Sequence, residues 1–315
     1  MSASRSTMMV VRLLGAAFFL WTGAVAARDD APAGGPLAAA DGAIVANPAL
    51  WRVEDDDSHI WLFGTFHLLP QEAQWTTPAV DAAFAEATAL ALEAPTGPEA
   101  QGRIGEIVRR EGLNPPGVAL SSLIDASDVV RMRRIAGEVA LPVEAVETMR
   151  PWLAIISLSA QFILAQGFDP AYGVEQVLAA KAARVGKPIQ YLETVEEQIG
   201  AFSGLSPEAE KRFFSVGLAE LDVSKDHLDR LLIAWLQGDA DLLETLLNSQ
   251  MRDAAPEMYR SLIVDRNRNW MAAFRNALRR NETVFVAVGA GHLVGDDGLP
   301  TLLGAEGYRV RRQDR

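Results

Sequence analysis

Apolar stretches on either side of a polar turn predict a β-hairpin near residue 50. Residues 51–53 and 60–63 are apolar or β-prone, whereas residues 54–58 are all acidic or polar. Two such runs around a polar turn are typical of paired antiparallel strands.

The next pattern predicts a βαβ unit. Thr77 followed by Pro78 is typical of a helix start, because threonine caps the helix and proline fits its first turn. The apolar run 88–92 predicts a buried strand that ends at Glu93. This order places polar groups at the carboxyl ends of neighbouring parallel strands, where open α/β sheets bind ligands.

Residues 96–280 predict a mainly helical region, because apolar residues recur there at helical spacing. Within it, residues 189–193 predict one short strand, and residues 260–280 predict one long helix. Leu205-Ser206-Pro207 predicts a further helix start, with serine at the cap and proline in the first turn.

The end of the chain returns to alternating strands and helices. The β-branched run 283–288 predicts a strand, Gly298 opens a short helix, and residues 308–310 predict a last strand. The predicted fold class is α/β. We expect a single domain over residues 47–315, with a central mixed or parallel sheet from N- and C-terminal βα units and a large helical insertion in the middle.

The first residues predict a signal peptide. Arg5 and Arg12 precede an apolar run, residues 13–26, that ends in small residues, the order typical of a cleaved secretory signal. The run is shorter than the ~20 residues that span a bilayer, so we expect no stable membrane span after cleavage. We therefore expect a signal peptide at 1–27, a flexible leader at 28–46, and a periplasmic or secreted protein.

The amino-acid composition excludes some classes of partner and some types of catalytic or metal site. The 315 residues include 41 acidic and 29 basic side chains, for a net charge of −12. Nucleic acid is not an expected partner, because phosphate binding needs a basic face. The chain has no cysteine, which excludes thiol catalysis and thiolate metal sites. A peptide or small-molecule substrate is the expected partner.

Two Gly-x-x-His motifs are the strongest candidates for a functional site. Gly64-Thr65-Phe66-His67 and Gly289-Ala290-Gly291-His292 each follow an apolar run that predicts a strand, and they contain two of the four histidines. Two histidines and a carboxylate, here His67, His292 and Glu93, are a familiar ligand set for a catalytic divalent metal such as Zn, Mn or Co.

The same residues allow chemistry with or without a metal. A metal would lower the pKa of bound water, and Glu175 or Glu193 would then act as the general base. Without a metal, His67 would itself be the general base of an esterase-like hydrolase. A third hypothesis is a protein that sequesters a peptide or other ligand without catalysis.

Short motifs are spread in a fixed order along the chain. They are residues 60–70, Leu90-Ala91-Leu92-Glu93, Gly173-Val174-Glu175 with Leu192-Glu193, Asp265-Arg266-Asn267 with Trp270, and residues 286–293. In this order they resemble the TraB/PrgY/GumN family over about residues 48–312.

The resemblance implies an α/β fold related to the Tiki metalloproteases and, more distantly, to erythromycin esterase (EreA) and the haem-associated ChaN-like proteins. It implies a metal-dependent peptidase site with His67, His292 and Glu93 as metal ligands. It also makes Arg266 a candidate for orienting a carboxylate or stabilising an oxyanion. The leading hypothesis is therefore a metal-dependent hydrolase, most simply a peptidase, with Glu93, Glu175 and Arg266 as its catalytic residues.

Overall fold

The structure is a computed structural model that describes residues 45–222 and 225–313, together with a two-residue antiparallel pair, Ala38–Ala39 with Gly42–Ala43. The predicted signal peptide lies outside the described residues, as does most of the predicted leader. Within the described ranges, no helix is long and apolar enough to cross a membrane.

A six-stranded mixed sheet forms the centre of the molecule, and it confirms the predicted α/β class. Its strands are β1 (Leu50–Glu54), β2 (His59–Thr65), β3 (Ala89–Leu92), β4 (Ile189–Tyr191), β5 (Val284–Gly289) and β6 (Arg309–Arg312). The order is β6-β1-β2-β5-β3-β4. Strands β2, β5, β3 and β4 are parallel, and β1 runs antiparallel to both of its neighbours, β6 and β2.

Helices account for most of the remaining described residues. They are α1 (Pro78–Glu86), α2 (Pro98–Glu111), α3 (Ala126–Glu138), α4 (Val143–Val146), α5 (Pro151–Ala165), α6 (Val174–Val185), α7 (Val195–Ser203), α8 (Pro207–Leu221), α9 (Lys225–Gln237), α10 (Ala240–Leu243), α11 (Gln250–Ala254), α12 (Pro256–Tyr259), α13 (Asp265–Arg279) and α14 (Leu299–Ala305). Short 3₁₀ turns cover Leu120–Ser122, Pro170–Tyr172 and Ala290–Leu293. Leu69–Pro70 pairs with Phe168–Asp169 in a separate two-residue ladder.

The predicted hairpin and helix starts are present for the expected reasons. In the β1–β2 turn, the Asp55 carboxylate accepts hydrogen bonds from the backbone N–H and the hydroxyl of Ser58, both at 2.8 Å. Thr77 caps α1 by accepting from the N–H of Val80, and Ser206 caps α8 by accepting from the N–H of Ala209. Each cap is followed by proline in the first turn.

Apolar side chains cover both faces of the sheet, which explains why its central strands are almost wholly apolar. On one face Phe63 and Phe285 pack with Trp235, and on the other Leu62 and Val286 belong to a second cluster. A third cluster, within residues 100–258, forms the interior of the helical insertion. This arrangement leaves the carboxyl ends of the parallel strands to carry polar groups.

The helix predicted over residues 260–280 differs at its start. Arg260–Val264 is π-helical, and the regular helix α13 begins at Asp265. The wider π turn ends two residues before Arg266, whose side chain donates to the carbonyl oxygen of Leu262 at 3.2 Å. π turns are often found next to functional sites.

Candidate functional site

The two Gly-x-x-His motifs come together because β2 and β5 are adjacent parallel strands. Thr65 pairs with Gly289 at their carboxyl ends, two residues before His67 and three residues before His292. Strand β3 lies on the other side of β5 and ends before Glu93, and β4 ends shortly before Glu193. Four parallel strands therefore deliver polar side chains to one edge of the sheet. The strands before His67 and Glu93, predicted to be neighbours, are separated by β5, which pairs with both.

Two glycines of the motifs allow this close approach. A Cβ on Gly64 would lie 3.2 Å from Cα of Ala290, so the first motif's strand packs directly on the second motif's loop. The N–H of Gly289 donates to Oε1 of Glu93 at 2.6 Å, and a Cβ there would lie 3.2 Å from the same oxygen.

Arg266 is the buried centre of the site, and protein acceptors engage every N–H that its guanidinium can donate. Nε donates to Oε2 of Glu193 at 3.0 Å, and Nη2 donates at 2.6 Å to Oε1 of Glu193 and to Oε2 of Glu93. Nη1 lies 3.0 Å from Nε2 of His292 and donates to Leu262. Since arginine has five N–H donors, none is left for a ligand in this arrangement.

His292 is held on its other side by Asn267. Its Nδ1 lies 2.7 Å from Oδ1 of Asn267, while Nδ2 of Asn267 donates to the backbone carbonyls of His292 and Asp297. The Trp270 ring lies 4.5 Å from the imidazole between centroids, and its Nε1 donates to Glu193 at 3.2 Å.

The pKa values of the buried side chains around Arg266 shift in different directions. Burial raises the pKa of Glu93, but Arg266, the two histidines and the Gly289 N–H outweigh it and hold that pKa well below its usual range. Burial also raises the pKa of Glu193, and the hydrogen bonds from Arg266 only partly oppose it. Burial and then Arg266 lower the pKa of His292 to about 3, so that this imidazole is neutral.

His67 interacts with the same buried charges as His292, but its side chain is more exposed and contacts Glu175. Its Nδ1 lies 2.9 Å from Oε1 of Glu175, which also accepts a hydrogen bond from the Thr65 hydroxyl. The His67 side chain is 24% exposed, whereas the His292 side chain is 5% exposed. Burial disfavours the charged ring, but Glu175 and then Glu93 outweigh it and raise the pKa of His67 to about 9.

The structure thus brings His67, Glu93, Glu175, Arg266 and His292 into one site. Arg266 donates hydrogen bonds to the carboxylates of Glu93 and Glu193. Glu175 faces His67 rather than the buried group, and Glu193 belongs to the Arg266 network. The roles of these residues stay predictions.

The predicted metal ligands fit a shared ion poorly in this arrangement. Nε2 of His292 and Oε2 of Glu93 both face the Arg266 guanidinium. The positive charge of this side chain therefore occupies the position that a shared metal ion would need. Among the described residues, no group of three or more His, Cys, Asp or Glu side chains is arranged to hold a metal ion. The predicted Zn, Mn or Co stays a prediction.

Sequence reasoning missed the roles of four side chains in the site. Thr65 and Gln198 bond the two carboxylates Glu175 and Glu93, while Asn267 and Trp270 follow Arg266 by one and four positions on α13. The spacing of Trp270 was a usable signal, because residues at i and i+4 lie near one another on a helix. The position of Asn267, next to Arg266 in sequence, carries no such signal.

Gly173→Ala should disrupt the site, because a Cβ at residue 173 would overlap the backbone carbonyl of His67. Helix α6 would have to move away, and Glu175 would move with it. Such overpacking typically costs about 1–3 kcal/mol, which urea unfolding would measure. Gly137→Ala is the control, because nothing lies within 4 Å of its added methyl group. Equal stability of both variants would contradict the close packing of α6 on His67.

Comparison with known proteins supports the family resemblance. The model of the TraB/PrgY/gumN family matches residues 49–312. YbaP of Escherichia coli (strain K12) and YbaP of Shigella flexneri, both described as uncharacterized, are each 27% identical over 192 residues, or 59% of this chain and 68% of the relative. No solved structure matches significantly, so the relation to Tiki, erythromycin esterase and ChaN-like proteins stays a prediction. Because the family match covers nearly all of the described residues, the chain belongs to the TraB/PrgY/gumN family.

Proposed function

We propose that the protein is a hydrolase in which His67, oriented by Glu175, is the general base that activates water. The observation that carries this proposal is the 2.9 Å contact between Nδ1 of His67 and Oε1 of Glu175. A base whose second nitrogen is held by a carboxylate is the recurring arrangement of hydrolytic sites.

The reaction requires one proton to move twice. Nε2 of His67 takes a proton from water while the water oxygen attacks the carbonyl carbon of an ester or amide. The tetrahedral intermediate then collapses, the bond to the leaving group breaks, and His67 returns the proton to that group. Glu175 stabilises the imidazolium that forms between these steps.

The charges around His67 support this role over a similar role for His292. Glu175 and Glu93 both stabilise the protonated form of His67, which is the form a general base acquires in the transition state. His292 is buried against the Arg266 guanidinium, which opposes protonation. His67 is also the more exposed of the two histidines, so a ligand reaches it more easily.

Peptides and small esters are the substrates proposed for this site, in a periplasmic or secreted protein. The purified protein should be tested against nitrophenyl esters and a fluorogenic peptide library, with and without a chelator. We expect hydrolysis that survives the chelator and is lost in His67→Ala. His227→Ala, which changes a histidine on α9 outside the site, should keep full activity.

Other outcomes would replace this proposal. Activity that the chelator abolishes and Mn, Co or Zn restores would instead support the metal-dependent peptidase. Tight peptide binding without any cleavage would support a sequestering protein.

A further inference from the structure

We infer that Asn267 and His292 act together as positioning residues, in which Asn267 fixes the His292 tautomer and His292 accepts a hydrogen bond from Arg266. The inference follows from which atoms can donate and which can accept. It does not depend on His67 acting as a base.

The first step fixes the orientation of the Asn267 amide. Its nitrogen donates to the carbonyl oxygens of His292 at 3.1 Å and Asp297 at 2.7 Å. With the amide reversed, its oxygen would face both carbonyls and lose both hydrogen bonds. The Asn267 oxygen therefore faces Nδ1 of His292 at 2.7 Å, and Nδ1 must carry the proton.

The second step fixes the other ring nitrogen. Nη1 of Arg266 lies 3.0 Å from Nε2 of His292, and a guanidinium has no lone pair with which to accept. Nε2 must therefore be the acceptor, and His292 is the neutral tautomer with its proton on Nδ1. The lone pair through which His292 would bind a metal is already bonded to Arg266.

The third step connects His292 to the carboxylates. The bond to His292 and the bond to Leu262 use both N–H groups of Nη1, and these two contacts set the rotation of the guanidinium. The remaining three N–H groups then point at Glu193 and Glu93. A lone pair on residue 292 thus helps to hold Glu93, whose charge acts on His67.

Nitrogen-15 NMR of the ring nitrogens tests the tautomer in the unmodified protein, which has only four histidines. We expect His292 to show a protonated Nδ1 and an unprotonated Nε2, and both signals to stay unchanged when diamagnetic Zn²⁺ is added. A proton on Nε2, or a zinc-induced shift of the His292 Nε2 signal, would overturn the inference. Asn267→Leu should raise the share of the tautomer with its proton on Nε2, because only the Arg266 donor then opposes it.

A pair of variants tests the acceptor. His292→Gln keeps an oxygen near the position of Nε2, whereas His292→Leu removes the acceptor at similar size. The Arg266 Nε–H should stay protected from hydrogen exchange in His292→Gln and lose that protection in His292→Leu. Equal loss of protection in both variants, with the fold retained by circular dichroism, would contradict a role as acceptor. The same ranking of the two variants is expected for any hydrolytic activity that is found.

Discussion

Glu175→Gln will lower the pH at which His67 loses its proton, from about 9 toward the ordinary value of 6.5. The substitution removes the nearest negative charge from Nδ1 but keeps the size and shape of the side chain. Burial favours the neutral form of the ring, and without the Glu175 charge less electrostatic stabilisation of the charged form remains to offset it. A proton NMR titration of the four histidine rings measures the change without any substrate.

Glu196→Gln is the matched control. Glu196 lies in the first turn of α7, as Glu175 lies in the first turn of α6, but it is exposed and pairs with Arg103. The titration of His67 should be the same in this control as in the unmodified protein. An unchanged titration in Glu175→Gln would show that Glu175 is not the source of the raised pKa.

The stability of the fold should also depend on the protonation of His67. Because the folded-state pKa of His67 lies above 6.5, this group stabilises the fold fully below pH 6.5, and its contribution is lost as the pH rises toward 9. Urea unfolding of the unmodified protein should therefore show falling stability across that window. Glu175→Gln should show a smaller fall there, since its His67 pKa is closer to that of the unfolded chain.

If His67 is the base, the rate of hydrolysis should depend on the protonation of His67. For the unmodified protein, kcat/KM should rise about tenfold per pH unit and level off above about pH 9. In Glu175→Gln this rise should move to lower pH, and the limiting rate should fall by roughly 10²–10⁴. The glutamine amide can donate to Nδ1 and favour the wrong tautomer. A rate that instead falls through pH 9 would make His67 an acid.

The sheet and the convergence of the two histidines could be predicted from sequence because both follow from local patterns. Residues 60–63 and 284–288 are continuous apolar runs, typical of strands buried on both faces. Each run ends in a glycine and a histidine, and parallel strands end at one edge of a sheet. The pairing of Thr65 with Gly289 is the consequence.

The arrangement inside the site could not be predicted in the same way. Two histidines and a carboxylate serve equally well as metal ligands or as acceptors for an arginine. What separates the two cases is the direction of the Arg266 guanidinium, which depends on a π turn and on Glu193, 73 positions away in sequence. Hydrophobic periodicity carries no information on either feature.

Arg266→Met will destabilise the protein by about 3–5 kcal/mol, the usual result of removing one partner from a buried ion pair. Glu93 and Glu193 would keep their burial, at 6% and 5% exposure of their side chains, but lose the cation between them. His292 would lose the donor to its Nε2 as well. Urea unfolding followed by tryptophan fluorescence measures the change in the free energy of unfolding.

Arg275→Met on the same helix is the control. Arg275 forms a single exposed pair with Glu306 at 2.8 Å, and such pairs contribute less than about 1 kcal/mol. Arg266→Met combined with Glu93→Gln and Glu193→Gln should recover part of the lost stability, because the unpaired buried charges are then gone. If Arg266→Met costs no more than Arg275→Met, or if the two glutamine substitutions only add further loss, the carboxylates do not depend on Arg266. In that case the space between Glu93 and His292 would be open to another cation, and the metal-dependent peptidase would become the better explanation of the site.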